Sequence, residues 1–189
     1  RIWGAMADYV KVPDINVIKL PDRIPFDLAA TIEPATVGLH ALMHCKFKAG
    51  TTVAVLGCGI IGLDTIQWAK INGAASVTAI SRGEGGLKAA ANLGAHTYVG
   101  TPKRDLSFSI KDWENINRKE CWVTGSWMSY SHPFPGKEWT ETIKCMCEGK
   151  FKAIPERVYK KLPMKDGSEA FGLIRTGKSK GRILLGNEF

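Results

Sequence analysis

Thr52-Val53-Ala54-Val55-Leu56 runs straight into Gly57-Cys58-Gly59-Ile60-Ile61-Gly62, and no other stretch of the 189 residues constrains the fold as tightly. The first run is short and almost wholly apolar, as expected of a strand buried on both faces of a parallel sheet. Beyond the glycines, Leu63, Ile66 and Ala69 recur every three residues, which predicts a helix as far as Asn72 with Gly73 as its stop. Ser76–Ile80 reads as a second buried strand and Leu87–Leu93 as another helix. A strand, a glycine turn, a helix and a second strand within ~30 residues is the setting that gives this glycine spacing a meaning.

That meaning is a dinucleotide phosphate site. Gly57 would make the tight turn, Gly59 would let backbone approach the pyrophosphate, and Gly62 would let helix and strand pack closely. The N–H groups at the helix start then face the phosphate charge. Asp64 suits the helix dipole but would repel a pyrophosphate if it pointed inward. At the end of the second strand, where such sites carry an acid for the ribose 2′-OH, stand Ser81 and Arg82. Without the acid a 2′-phosphate is no longer repelled, and Arg82 can pair with it, which favours NADP over NAD. The plainer reading of Arg82 is a surface arginine.

The remainder of the chain carries weaker patterns. Residues 5–20 read as two short strands joined at Pro13-Asp14, and residues 28–46 as a helix broken near Glu33-Pro34. Residues 101–120 are polar and give no clear element. Cys121–Trp127 reads as a strand and Pro135–Gly149 as an amphipathic helix with Trp139, Ile143 and Met146 on one face. The tail reads as strand (Arg157–Leu162), helix (Lys165–Arg175) and strand (Arg182–Leu185).

Composition limits the function classes. A chain with 44% hydrophobic and 23% charged residues is globular, not disordered, and no apolar run approaches the ~20 residues of a membrane helix. It starts at Arg1, which reads as a cut N-terminus without a signal peptide. The net charge is +8, and residues 148–182 hold ten Lys/Arg against four Asp/Glu. That bias suits an anionic small molecule or a solvated basic face, and the absence of interleaved aromatics argues against nucleic acid. Five cysteines at irregular spacing make no disulfide framework and point to a reducing, cytoplasmic compartment. Cys145 and Cys147 read as one core-facing and one outward-facing residue. His40 and His44 can share a helix face, with no third ligand beside them.

The chain resembles the zinc-dependent medium-chain dehydrogenase/reductase family. The resemblance is carried by Gly4–Pro13, Lys19-Leu20-Pro21-Asp22, Thr31–Ala41 and the glycine turn. Ile32-Glu33-Pro34 points to its polyol branch, and Gly125–Tyr130 with Pro133–Trp139 to the polyol-phosphate members. Arg118-Lys119-Glu120 and the run from Ile174 to Leu185 fit as well. The resemblance implies a Rossmann parallel-sheet domain with pieces of a β-rich GroES-like catalytic domain. The implied partition is 1–36 catalytic, 37–152 a shortened dinucleotide-binding domain, and 153–189 a return to the catalytic domain.

The implied reaction is hydride transfer from a secondary alcohol of a polyol or sugar-alcohol phosphate to NAD or NADP, with zinc as Lewis acid. Of the zinc ligands only Glu33 has a counterpart, so the chain alone is expected to hold no zinc and to be inactive. By matching position, Gly57, Gly59, Ile61 and Gly62 line the cofactor, with Ser81 and Arg82 at the adenosine ribose. Val99, Gly100 and Thr101, then Ser126, Trp127 and Met128, fall near the nicotinamide. A junction near Val99 joins the third strand to a much later one, leaving three or four strands where a full sheet has six. A homo-oligomer, dimer or tetramer, through the Cys121–Trp127 strand is implied too. The alternative is an inactive nucleotide-binding or structural remnant.

Overall fold

The computed structural model describes residues 6–7, 9–99, 109–119, 133–155, 158–179 and 181–187. They form two compact units, one holding the described residues of 1–31 and 131–189, the other those of 32–130.

The second unit is built on a three-stranded parallel sheet, β1 (Thr52–Leu56), β2 (Ser76–Ser81) and β3 (His96–Val99), in the order β1-β2-β3. Two crossover helices link them, α3 (Ile60–Ile71) and α4 (Glu84–Asn92), and the two helices touch each other over the same side of the sheet. Val55, Val77 and Ala79 are buried beneath them. The opposite face differs from the expectation of a strand enclosed on both sides. Ala54 is exposed and Leu56 is 71% exposed, because both crossovers cover one face only.

Helix α2 (Ile32–His44) packs along α3. Trp68 of α3 is fully buried and donates its indole N–H to the Ala35 carbonyl at 2.7 Å. The close approach requires Gly38, where a Cβ would lie 2.9 Å from the Thr65 amide nitrogen. The expected break near Glu33-Pro34 lies earlier. A short α1 (Phe26–Ala29) ends there, and Pro34 sits inside the first turn of α2, where a missing N–H costs nothing. Residues 110–118, unassigned from sequence, form α5 (Ile110–Arg118). Ile110, Trp113 and Ile116 mark its apolar spacing within a mostly polar stretch.

In the first unit, α6 (Gly136–Cys147) buries Ile143, Cys145 and Met146, while Cys147 is half-buried, as the helical spacing requires. Strands β4 (Val158–Pro163) and β5 (Arg182–Gly186) pair in parallel across helix α7 (Gly167–Arg175). Lys161 on β4 reaches Asp27 at 3.0 Å, and Arg182 on β5 donates to the Ala30 carbonyl at 3.2 Å. The two strands expected within 5–20 are not formed among the described residues. That segment holds one exposed 3-10 turn, Asp14–Asn16, because no described strand lies alongside to pair with it. The expected strand Cys121–Trp127 lies outside the described residues.

Candidate functional site

The carboxyl ends of the three parallel strands gather the candidate residues. Leu56 pairs with Ile80, and Ser81 with Val99. Gly57 and Ser81 are therefore the next residues along neighbouring strands, and the Gly57 N–H donates to the Ile80 carbonyl at 2.7 Å. Crevices outside the carboxyl ends of parallel strands are where open α/β sheets bind ligands.

The glycine turn has the geometry its spacing demands. Gly57 has φ of +100°, a conformation that a side chain disfavours. A Cβ on Gly62 would lie 1.8 Å from the Gly57 carbonyl oxygen and 3.4 Å from Val55 Cγ1, so strand and helix can meet there only without one. A Cβ on Gly59 would project into open space. The first intrahelical bond of α3 runs from the Leu63 N–H to the Gly59 carbonyl at 3.0 Å. The amides of Ile60, Ile61 and Gly62 therefore precede the helical ladder and lie at its positive end. Dinucleotide phosphates fit this turn: it has backbone donors, a partial positive charge and no side chain in front of Gly59.

Asp64 does not face that turn. It is buried, and its Cβ lies 3.2 Å from where a Cβ on Gly38 would stand, so it points toward α2. The repulsion foreseen for an inward carboxylate is removed by the packing of α2 on α3. Ser81 is half-buried at the end of β2, and Arg82 is exposed between it and Gly83, the residue before α4. Sequence reasoning missed one member of this region, Gly86. A Cβ there would lie 2.8 Å from the Cys58 carbonyl oxygen, so the first turn of α4 rests on the glycine turn itself. The glycine density of Arg82–Gly86 was the available signal.

The remaining candidates are not gathered here. Val99 ends β3 beside Ser81, with only its backbone described. Gly100, Thr101, Ser126, Trp127 and Met128 lie outside the described residues. Glu33 is exposed in the first turn of α2. His40 and His44 share a face of the same helix with ring centroids 4.3 Å apart. Among the described residues no group of three His, Cys, Asp or Glu could hold a metal ion. Nor is any described helix long and apolar enough to cross a membrane.

No protein-family model matches the chain. Galactitol 1-phosphate 5-dehydrogenase of Escherichia coli K12 is 32% identical over 201 residues, covering 80% of this chain and 58% of that protein. Sorbitol dehydrogenase of Bacillus subtilis 168 is 33% identical over 112 residues, 59% of this chain and 32% of that protein. Among solved structures, galactitol-1-phosphate dehydrogenase from Escherichia coli superposes with a TM-score of 0.81 at 29% identity, covering 96% of this chain and 66% of that one. The chain therefore spans less than two thirds of the length of these relatives. The first match is 201 residues long, whereas 80% of 189 is about 151, so about 50 of its positions have no residue here.

Proposed function

Since the chain belongs to the zinc-dependent medium-chain alcohol and polyol dehydrogenase family, we propose that it carries the dinucleotide-binding part of such an enzyme. The reaction is oxidation of a secondary alcohol in a polyol or polyol phosphate. A bound NAD or NADP supplies the hydride acceptor. What this chain's residues do is bind and orient it. The amides of Ile60–Gly62 receive the pyrophosphate, Gly59 leaves room for it, and Gly62 holds the turn closed against β1. Ser81 and Arg82 take the adenosine ribose, and Arg82 favours the 2′-phosphate of NADP. The single observation that carries this reading is the 1.8 Å approach that only glycine permits at position 62, placed at the carboxyl end of a parallel strand.

The finer assignments follow from the same membership. Val99–Thr101 and Ser126–Met128 are proposed for the nicotinamide end, with domain limits 1–36, 37–152 and 153–189. The unmatched positions, about 50, are assigned to a block near Val99, which would account for a sheet of three described strands. The partners are a small polyol or sugar-alcohol phosphate and further copies of the chain, and the compartment is the cytoplasm. A second reading, an inactive nucleotide-binding or structural remnant, is favoured by the about 50 positions within the first match that have no residue here.

Titrating ADP-ribose, NADH and NADPH into the folded chain by calorimetry tests the site. Saturable binding at one equivalent is expected, and its absence in a cooperatively folded sample would overturn the dinucleotide reading. Assaying metal content and turnover on the same sample separates the two readings. The remnant reading expects neither zinc nor turnover. A zinc-to-chain ratio near one with polyol-dependent cofactor reduction would reject it.

A further inference from the structure

The turns that leave the carboxyl ends of β1 and β2 meet at one residue. Gly86 is the third residue of α4, whose first intrahelical bond runs from the Leu87 N–H to the Gly83 carbonyl at 3.1 Å. A Cβ on Gly86 would lie 2.8 Å from the Cys58 carbonyl oxygen, 3.0 Å from Cys58 Cβ and 3.5 Å from the Cys58 carbonyl carbon. The oxygen is nearer than its carbon, so the Cys58 carbonyl points toward the first turn of α4. Backbone cannot swing aside as the end of a long side chain can, and this seat exists because position 86 has no Cβ. Gly85, on the same turn, would project a Cβ into open space.

The Cys58–Gly59 peptide is planar and trans, since the one cis bond among the described residues is Phe134–Pro135. In a trans peptide the N–H and the C=O run in opposite directions. The carbonyl that meets α4 therefore sends the Gly59 N–H to the other side, away from that helix. This N–H donates to no described residue, and Gly59 is exposed. It stands one residue before the Ile60–Gly62 amides, at the positive end of α3. Rotating the peptide plane would swing the donor away and present a carbonyl oxygen, which repels an anion.

We propose that Gly86 is a positioning residue for the dinucleotide pyrophosphate. By seating α4 on the Cys58 carbonyl, it holds the Cys58–Gly59 peptide in the orientation that aims the Gly59 N–H at the phosphate. The inference rests on the dinucleotide reading above and adds to it the Gly59 donor and the support of that donor by a second helix. Gly86 acts through the Cys58 peptide and not by contact with the ligand. A hydrogen bond to a charged acceptor is roughly twice as strong as a neutral one, so the direction of a single donor is felt in the affinity. Helix α4 follows Ser81, Arg82 and Gly83 directly. The same seat therefore sets the ribose end of the site against its pyrophosphate end.

Calorimetric titration of ADP-ribose into the full chain, Gly86→Ala and Gly85→Ala is the test. Alanine favours the helix over glycine at both positions, so the two variants differ in the Cβ contact with Cys58. Gly86→Ala should weaken ADP-ribose binding at least about tenfold, and Gly85→Ala should stay within about twofold of the parent, while both melt cooperatively. In nitrogen–proton correlation spectra the Gly59 amide resonance should move in Gly86→Ala and not in Gly85→Ala, a signature that a merely stabilising residue would not give. Saturating ADP-ribose should move the same resonance in the parent, a reading that requires no variant to fold. An unmoved Gly59 resonance in the saturated parent overturns the proposal. So does parent-like affinity in Gly86→Ala, or an equal loss in Gly85→Ala. A cooperatively folded parent that does not bind ADP-ribose overturns the dinucleotide reading itself, and this inference with it.

Discussion

The glycine-turn unit and the β4–β5 unit use the same element, a parallel strand pair joined through a helix, and reach different degrees of closure. In the first, β1, α3 and β2 follow one another within residues 52–81, and the helix that connects the strands also covers them. Its motif is self-sufficient: the residue that closes the turn, Gly62, belongs to the helix that the turn starts. In the second, β4, α7 and β5 are equally consecutive, but only two described strands pair, with a register shift between Val158 and Lys160. A strand pair completes itself when its neighbours in space are its neighbours in sequence.

The largest effect expected from breaking this contrast is at Gly62. Replacing it with Ala places a Cβ at 1.8 Å from the Gly57 carbonyl, so strand and helix must separate. Gly62→Ala should destabilise the sheet unit by about 3 kcal/mol, the upper end of overpacking costs, and weaken dinucleotide binding by at least about 100-fold. Amide exchange read separately for β1–β2 and β4–β5 should accelerate in the former only. Equal acceleration in both would show that the two units unfold together, and full binding by the variant would show that the turn is not the phosphate site.

Cofactor choice sharpens the comparison at intermediate size. Ser81 offers one hydroxyl where an acid would accept both ribose hydroxyls, and Arg82 can form a charge-assisted pair with a 2′-phosphate. Both effects act in the same direction, so NADPH is expected to bind about tenfold more tightly than NADH, about 1.4 kcal/mol. Ser81→Asp should reverse the order, and Arg82→Ala should weaken NADPH while leaving NADH nearly unchanged. Equal affinities in the parent chain would make Arg82 a surface arginine.

The smallest effect belongs to the other unit. The Lys161 ammonium, hydrogen-bonded to Asp27 at 3.0 Å, holds that carboxyl below its usual range, against the opposing pull of partial burial. A carboxyl depressed on folding contributes stability above its unfolded pKa, about 3.9, and loses it as pH falls through the folded value. Both side chains are more than a third exposed, at 38% and 43%, so the contribution is that of a surface pair, about 0.2–1 kcal/mol. Thermal melts of the parent chain and Asp27→Asn should differ by that amount at pH 7 and converge once the pH has fallen through the lowered carboxyl's folded value. A difference that persists in acid would assign the effect to packing.

Sequence by itself determined what depends on near neighbours. The three-residue recurrence of Leu63, Ile66 and Ala69, the apolar run of β1 and the spacing of Gly57, Gly59 and Gly62 specified an element order and a phosphate turn, because each partner lies within one turn or one connection. The same local rules placed β4, α7, β5 and the two faces of α6. Tertiary structure alone decided what depends on segments far apart. Asp64 turns away from the phosphate turn because α2, some 25 residues upstream, packs over it at Gly38. Gly86 acquires its role only once α4 rests on Cys58. Leu56 is bare because both crossovers run over one face, which no property of a five-residue apolar run can announce. The strand pattern at Tyr9–Val12 was legible, but pairing requires a second strand at hydrogen-bonding distance, and only the fold can supply or withhold it.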